Sequence, residues 1–314
     1  MAMVDDVLMR AERLTRRYGD IRAVDDVSFT LSKGQVLGFL GPNGAGKSTT
    51  MRMLAGVLAP DAGRITISGN DLLDQPRQAK RAIGYLPEQP PLYRELTVDE
   101  QLRYSAHLHG LGRAASRAAV EQVKERCGLT GVGKRLNGNL SKGYRQRVGI
   151  AQAILHEPPV IVLDEPTIGL DPIQLREMRK LIGGLGKNHG VILSTHLLAE
   201  VQATCSHVQI MRAGQLVYAS ALSELERCGQ STRLRIGLHA PPPVSSLARL
   251  PGVERVEELG DGRFRLHHAP GFAPHRAVVE QASAAGWDLW ELVPEHVSLE
   301  QIFVELTLGG EKAE

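Results

Sequence analysis

The chain is predicted to be an α/β protein, and three stretches predict it. The apolar run Gln35 to Leu40 (QVLGFL) leads into GPNGAGKST and then into a helical stretch, Ser48 to Leu58. A second run, Pro159 to Pro166 (PVIVLDEP), ends in two acids, and a third, GVILSTH, ends at His196. Short continuous apolar runs are the mark of parallel strands buried on both faces, whose carboxyl ends deliver side chains to one crevice. Gly41 to Thr49 fits G-x-x-x-x-G-K-[ST] at every fixed position and sits between a strand and a helix, so the core is of the P-loop NTPase type.

Taken in order, residues 6–40 alternate strand-like runs with turns at Gly19-Asp20 and Lys33-Gly34, which predicts an N-terminal antiparallel β subdomain. Tyr18, just before one turn, either presents its ring to a nucleotide base or is an ordinary sheet-edge or core tyrosine. In the loop itself, Gly41, Gly44 and Gly46 let successive N–H groups point inward at phosphate oxygens, and the helix N-terminus adds partial positive charge. The whole segment Gly41, Pro42, Asn43, Gly44, Ala45, Gly46, Lys47, Ser48, Thr49 is therefore the candidate nucleotide site. Lys47 reaches the β- and γ-phosphates, while Ser48, and less directly Thr49, holds Mg²⁺. A glycine-rich turn before a helix is the bland alternative.

Pro60 to Gly63 is a turn, RITISGN a strand and RAIGYLP a third strand ending at Pro87. From about residue 88 to 154 apolar residues recur at helical spacing, which predicts a helical insertion into the sheet domain; Ser141 is placed as the N-cap of its last helix. In PVIVLDEP, Asp164 anchors the Mg²⁺ site and Glu165 lies beside the γ-phosphate as general base; the alternative is two solvated loop acids. His196 ends the next strand and either hydrogen-bonds the γ-phosphate or is a buried or capping histidine. Beyond Gly229, RLRIGL, VERVEEL, RFRLHH and DLWELV alternate with VSSLARL and PHRAVVEQASAAG as β-α-β-β-α-β, a small α+β ferredoxin-like module, and SLEQIFVELT follows as a last helix.

Composition sets limits. With 314 residues, 42% hydrophobic and 23% charged, the chain can bury a sizeable core and is long enough for two domains. A net charge of +2 is too small to argue for nucleic acid or an anionic membrane surface as a partner. Cys127, Cys205 and Cys228 lack CxxC spacing and read as reduced thiols. No basic n-region precedes an apolar segment at the N-terminus, so no signal peptide is expected, and no apolar run reaches the ~18–20 residues of a membrane span.

These motifs in this order resemble the nucleotide-binding subunit of ATP-binding-cassette (ABC) transporters over about residues 6–225. Tyr18 matches the adenine-stacking aromatic, Gly41 to Thr49 Walker A, and Leu140-Ser141-Lys142-Gly143-Tyr144 the signature usually written LSGGQ. Val160 to Glu165 matches Walker B with its catalytic Glu, Ile168-Gly169-Leu170-Asp171 the D-loop, and His196 the switch histidine. Two motifs depart from the pattern: the signature holds Lys142 and Tyr144, and the Q-loop position after IGYLP holds Glu88, followed by Gln89. LSKGYRQRVGIAQAI and IGYLPEQPPLY look like the exporter branch, similar to the ATPases of gliding motility and copper-enzyme maturation.

The resemblance implies an ABC ATP-binding domain at 1–229 and a C-terminal accessory or dimerisation domain at 230–314. It implies ATP and Mg²⁺ as cofactors, with Glu165, His196 and Lys47 catalytic and Ser48, Glu88 and Asp164 at the metal; Gln89 is the rival to Glu88. A second copy, head to tail, closes over each ATP with Ser141 and Gly143, since the chain's own P-loop already serves its own nucleotide. The pore is then a separate transmembrane permease, touched through Pro90-Pro91-Leu92-Tyr93, and the chain sits in the cytoplasm on the inner face of the cell membrane. An importer ATPase and a non-transport ABC ATPase acting on ribosome or DNA are the alternatives; SLEQIFVELT and the LSKGY signature favour export.

Overall fold

The computed structural model describes residues 7–224, 233–269, 272, 274–295, 300 and 303, and the chain falls into two compact units, Met1–Leu222 and Ser223–Glu314. The first unit runs β1 (Val7–Tyr18), β2 (Ile21–Ser32), β3 (Val36–Leu40), α1 (Lys47–Leu54), β4 (Ala62–Ile67), β5 (Asn70–Asp71), α2 (Pro76–Arg81) and β6 (Ile83–Leu86). It continues with α3 (Val98–Leu108), α4 (Arg113–Arg126), α5 (Lys142–Ile154), β7 (Val160–Asp164), α6 (Pro172–Leu185), β8 (Gly190–Thr195), α7 (Leu198–Thr204), β9 (His207–Arg212) and β10 (Gln215–Ala221).

Among the described residues the strands of this unit form an antiparallel sheet, β2-β1-β4-β5, and a larger one, β10-β9-β3-β8-β7-β6. In the larger sheet β3 is parallel to β8 and β9, and β7 to β6 and β8, so the carboxyl ends of β3, β8 and β7 lie side by side at the same end of the sheet. Their residues are buried on both faces, which is why they read as unbroken apolar runs. Val160 and Val162 of β7 join one core with Met9, Leu14, Phe29, Phe39 and Met51; Ile161 and Leu163 join a second core with Leu102, Ile150 and Ile182 of the helices. Phe29 and Phe39 meet edge to face at 5.0 Å in the first core, joining the two sheets.

Local chemistry sets the helix starts. Thr97 and Glu100 form a reciprocal capping box at α3. Ser141 caps α5 as expected, accepting from the Tyr144 N–H at 3.4 Å, and Asp171 caps α6 ahead of Pro172. The helix after the loop stops at Leu54, short of the expected Leu58, because Gly56 takes φ +65 and Pro60 follows. The sequence reading placed no element at α2, whose six residues carry no apolar period.

Two imidazoles tie the helical insertion to the sheet. His109, at the end of α3, stacks on His156 after α5 at 3.8 Å with 10° between planes, and His156 Nε2 bonds the Ile83 carbonyl at 3.1 Å. Burial above all, then the neighbouring His109, pushes the His156 pKa down to about 4, against a smaller upward pull from that carbonyl. An unfolded chain takes up this proton near pH 6.5, whereas the fold resists it until about 4. The stability present above pH 6.5 is therefore lost progressively between 6.5 and 4, by about 2 kcal/mol after allowance for partial exposure. Melting curves across this range are expected to fall less steeply for His156→Gln than for the wild type; parallel curves refute the assignment.

The second unit contains β11 (Arg233–Leu238), α8 (Val244–Ala248), β12 (Val253–Gly260), β13 (Arg263–His268), α9 (His275–Ala285) and β14 (Leu289–Glu295), with antiparallel sheet order β12-β13-β11-β14. Numbered within the unit, that order is 2-3-1-4, the ferredoxin-like arrangement expected from the β-α-β-β-α-β sequence. Ile236, Phe264, Leu266, Val278 and Trp287 form its core. Trp290 lies over Gly237, where a Cβ would come within 2.5 Å of the indole, and the Arg263 guanidinium stacks on its ring at 4.6 Å. The expected closing helix, SLEQIFVELT, lies outside the described residues apart from Glu300 and Phe303.

Candidate functional site

Three strand ends and one loop build a cleft. After β3 the chain turns through Gly44 and Gly46 at φ +79 and +102, values that favour glycine. At Gly46 a Cβ would also come within 2.3 Å of the Ala23 carbonyl, and at Gly41 within 2.4 Å of the Met211 carbonyl, so both positions exclude a side chain against backbone that cannot yield. Lys47 opens α1. Its buried ammonium donates to the Gly41 and Pro42 carbonyls at 2.8 and 3.1 Å and lies 3.9 Å from Glu165 Oε1. Burial lowers the Lys47 pKa, while the charges of Glu165 and Asp164 pull it back up.

The acids at the end of β7 are held from β8. Ser194 Oγ donates to Asp164 Oδ1 at 2.5 Å and accepts the Glu165 N–H at 3.0 Å; Ser48 Oγ donates to the same Asp164 oxygen at 3.1 Å. Glu165 sits at φ +47, a left-handed conformation that costs a non-glycine residue on the order of 1–3 kcal/mol and recurs at functional sites. That twist turns its carboxylate to His196 Nδ1, 3.1 and 3.2 Å from the two oxygens. One buried carboxylate, one ammonium and one imidazole thus face the same space, with the second carboxylate beside the Ser48 hydroxyl.

The cleft holds about 620 Å³, within the range that takes nucleotide-sized ligands (~300–1,000 Å³). Of the expected residues, Asn43, Gly44, Gly46, Lys47, Ser48 and Thr49 line it, joined by Tyr18, Glu88, Glu165 and His196. Tyr18 is exposed, with the Arg16 guanidinium 5.4 Å from its ring centroid. Glu88 lines the cleft and Gln89 does not. Ser141 and Gly143 are also absent from this lining; Gly143 packs against Gln174 of α6.

Ser194 escaped the sequence reading. Its signal was present, since alternation along β8 puts residues 194 and 196 on the same face, but nothing local says that the hydroxyl meets acids thirty residues away. The Ser48 hydroxyl and the Asp164 carboxylate are hard oxygen donors of the kind Mg²⁺ takes, and Asp164 is fixed by two hydroxyls, so the residues present fit such an ion.

A family model described as ABC transporter matches residues 24–168. The ABC transporter ATP-binding protein NatA of Bacillus subtilis is 41% identical over 226 residues, covering 70% of this chain and 92% of the relative. The bacitracin transport ATP-binding protein BcrA of Bacillus licheniformis is 39% identical over 307 residues, covering 96% of this chain and 98% of the relative. A solved structure of an ATP-binding subunit of an ABC transporter superposes with TM-score 0.64 at 33% identity, covering 70% of this chain and 92% of that one.

Proposed function

The chain belongs to the ATP-binding subunits of ABC transporters, and from that premise we propose that it is a Mg²⁺-dependent ATPase that drives export through a separate transmembrane permease. The observation that carries the reading is the convergence of Lys47, Glu165 and His196 on one cleft beside a phosphate-binding loop, with Asp164 bonded to the Ser48 hydroxyl that lines it. Lys47 neutralises β- and γ-phosphate charge, and the loop N–H groups hold the phosphate oxygens. Glu165 takes the proton of the attacking water, and His196 orients that carboxylate and reaches toward the γ-phosphate. Ser48, Asp164 and Glu88 hold Mg²⁺, which when bound offsets charge on the phosphates. Tyr18 offers its ring to the adenine.

Ser141 and Gly143 stand at the N-terminus of α5, a second phosphate-binding device away from the chain's own cleft. This placement supports a head-to-tail dimer in which each copy closes over its partner's ATP. No helix among the described residues is long and apolar enough to cross a membrane. Membership of the ATP-binding subunits of ABC transporters is what supports a separate permease and attachment to the inner membrane face through it. The name of the bacitracin transport relative supports a role in transport.

Hydrolysis is expected to stop when Mg²⁺ is chelated. Titrating Mg²⁺ back separates the two Q-loop residues: Glu88→Ala should shift the activation curve to higher Mg²⁺ by about tenfold, the worth of one lost ligand, while Gln89→Ala leaves it in place. An unmoved curve for Glu88→Ala with a shifted one for Gln89→Ala reverses the assignment, and hydrolysis that survives chelation removes the metal from the reaction.

A further inference from the structure

We propose that a crevice at the end of the parallel sheet opposite the P-loop binds a phosphate-bearing anion. The crevice holds about 720 Å³, and its cations are Lys33, Arg126 and Lys180. They come from three segments: the turn between β2 and β3, the last residue of α4 in the helical insertion, and α6.

Neither Lys33 nor Lys180 has an ion-pair or hydrogen-bond partner among the described residues, and Arg126 has no acidic one. The carboxylate in the lining, Glu157, already accepts from Gln122 Nε2 at 3.3 Å, so the crevice keeps a surplus of two positive charges. Cations favour helix C-termini, which accounts for Arg126 alone; Lys180 lies outside the last turn of α6, and Lys33 is on no helix.

The crevice is also built from behind. His189 is buried; its Nδ1 lies 2.7 Å from the Pro158 carbonyl and its Nε2 3.4 Å from Arg126 Nη2. With Nδ1 donating to the carbonyl, Nε2 accepts from Arg126 and fixes the guanidinium, leaving its other N–H groups for a ligand. The turn carrying Lys33 is pinned to the same residue, since the Gly34 N–H donates to the His189 carbonyl at 3.2 Å. Leu181 and Leu185 supply an apolar wall. A prefixed guanidinium, two unneutralised ammonium groups and an apolar flank suit a phosphate group on an organic body better than a bare halide.

This site stands apart from the hydrolysis reading, and its test reads binding alone. Inorganic pyrophosphate is titrated calorimetrically into the full chain with Mg-ADP held in saturating excess to occupy the P-loop. In a second arm the chain is cosedimented with phosphatidylcholine vesicles containing phosphatidic acid. Binding in the first arm identifies a free phosphate compound, and binding in the second alone a lipid headgroup; either supports the site if Lys33→Ala and Lys180→Ala each weaken it about tenfold. Lys187→Ala, an exposed cation outside the crevice, must leave it unchanged. Absence of binding in both arms overturns the proposal, and so does equal weakening by Lys187→Ala.

Discussion

Glu165→Gln is expected to bind ATP as the wild type does and to hydrolyse it on the order of 10²–10⁴-fold more slowly. The amide keeps the size and plane of the carboxylate, so its oxygen still meets His196 Nδ1, and the backbone N–H of residue 165, which donates to Ser194 Oγ, is untouched. What is lost is the base. Lys47 gives up one of the two acids that hold its proton against burial, but Asp164 remains, and a bound triphosphate adds negative charge beside the ammonium. Binding therefore survives while the chemical step does not, and the variant is expected to accumulate as an ATP-bound dimer in sedimentation experiments. Wild-type turnover in Glu165→Gln would remove this residue from the reaction.

The largest effect on stability is expected from Arg179→Ala. Glu200 is buried at 3% exposure, and Arg179 grips its carboxylate with Nη2–Oε1 at 2.6 Å and Nε–Oε2 at 3.4 Å. The pair ties α6, which starts at the D-loop, to α7, which starts two residues after His196. Removing the guanidinium leaves a buried, uncompensated carboxylate at a cost of about 3 kcal/mol, or on the order of 10 °C in melting temperature. Removing both charges is a different matter, because a hydrophobic replacement of a buried pair is often neutral. Arg179→Met with Glu200→Leu should then recover most of the loss. A single variant that melts within 2–3 °C of the wild type, by the same ~3 °C per kcal/mol scale, shows that the pair contributes little.

What was legible in the sequence is chemistry carried by contiguous residues. The Gly41 to Thr49 loop, the acids closing β7 and the histidine after β8 each declare themselves within ten residues, and strands buried on both faces leave apolar runs that need no partner to be recognised. The second unit was equally legible, since the four strands and the two helices between them in β-α-β-β-α-β order have few packing solutions. Ser194, the Arg179–Glu200 pair and the Lys33–Arg126–Lys180 crevice were not. Each depends on residues far apart in the chain brought together by tertiary packing, and a lone Ser, Glu or Lys has no local signature of its partner. The α2 helix escaped because six residues with Ala79 as their one buried side chain carry no period to read.

Both tryptophans of the chain, Trp287 and Trp290, belong to the second unit, one in its core and the other sandwiched between Gly237 and Arg263. Intrinsic indole fluorescence is therefore blind to the nucleotide-binding unit and reports on the ferredoxin-like one alone. Emission follows the second unit while far-ultraviolet dichroism follows the backbone of both, and any separation of their midpoints in one denaturant titration measures how independently the two units melt.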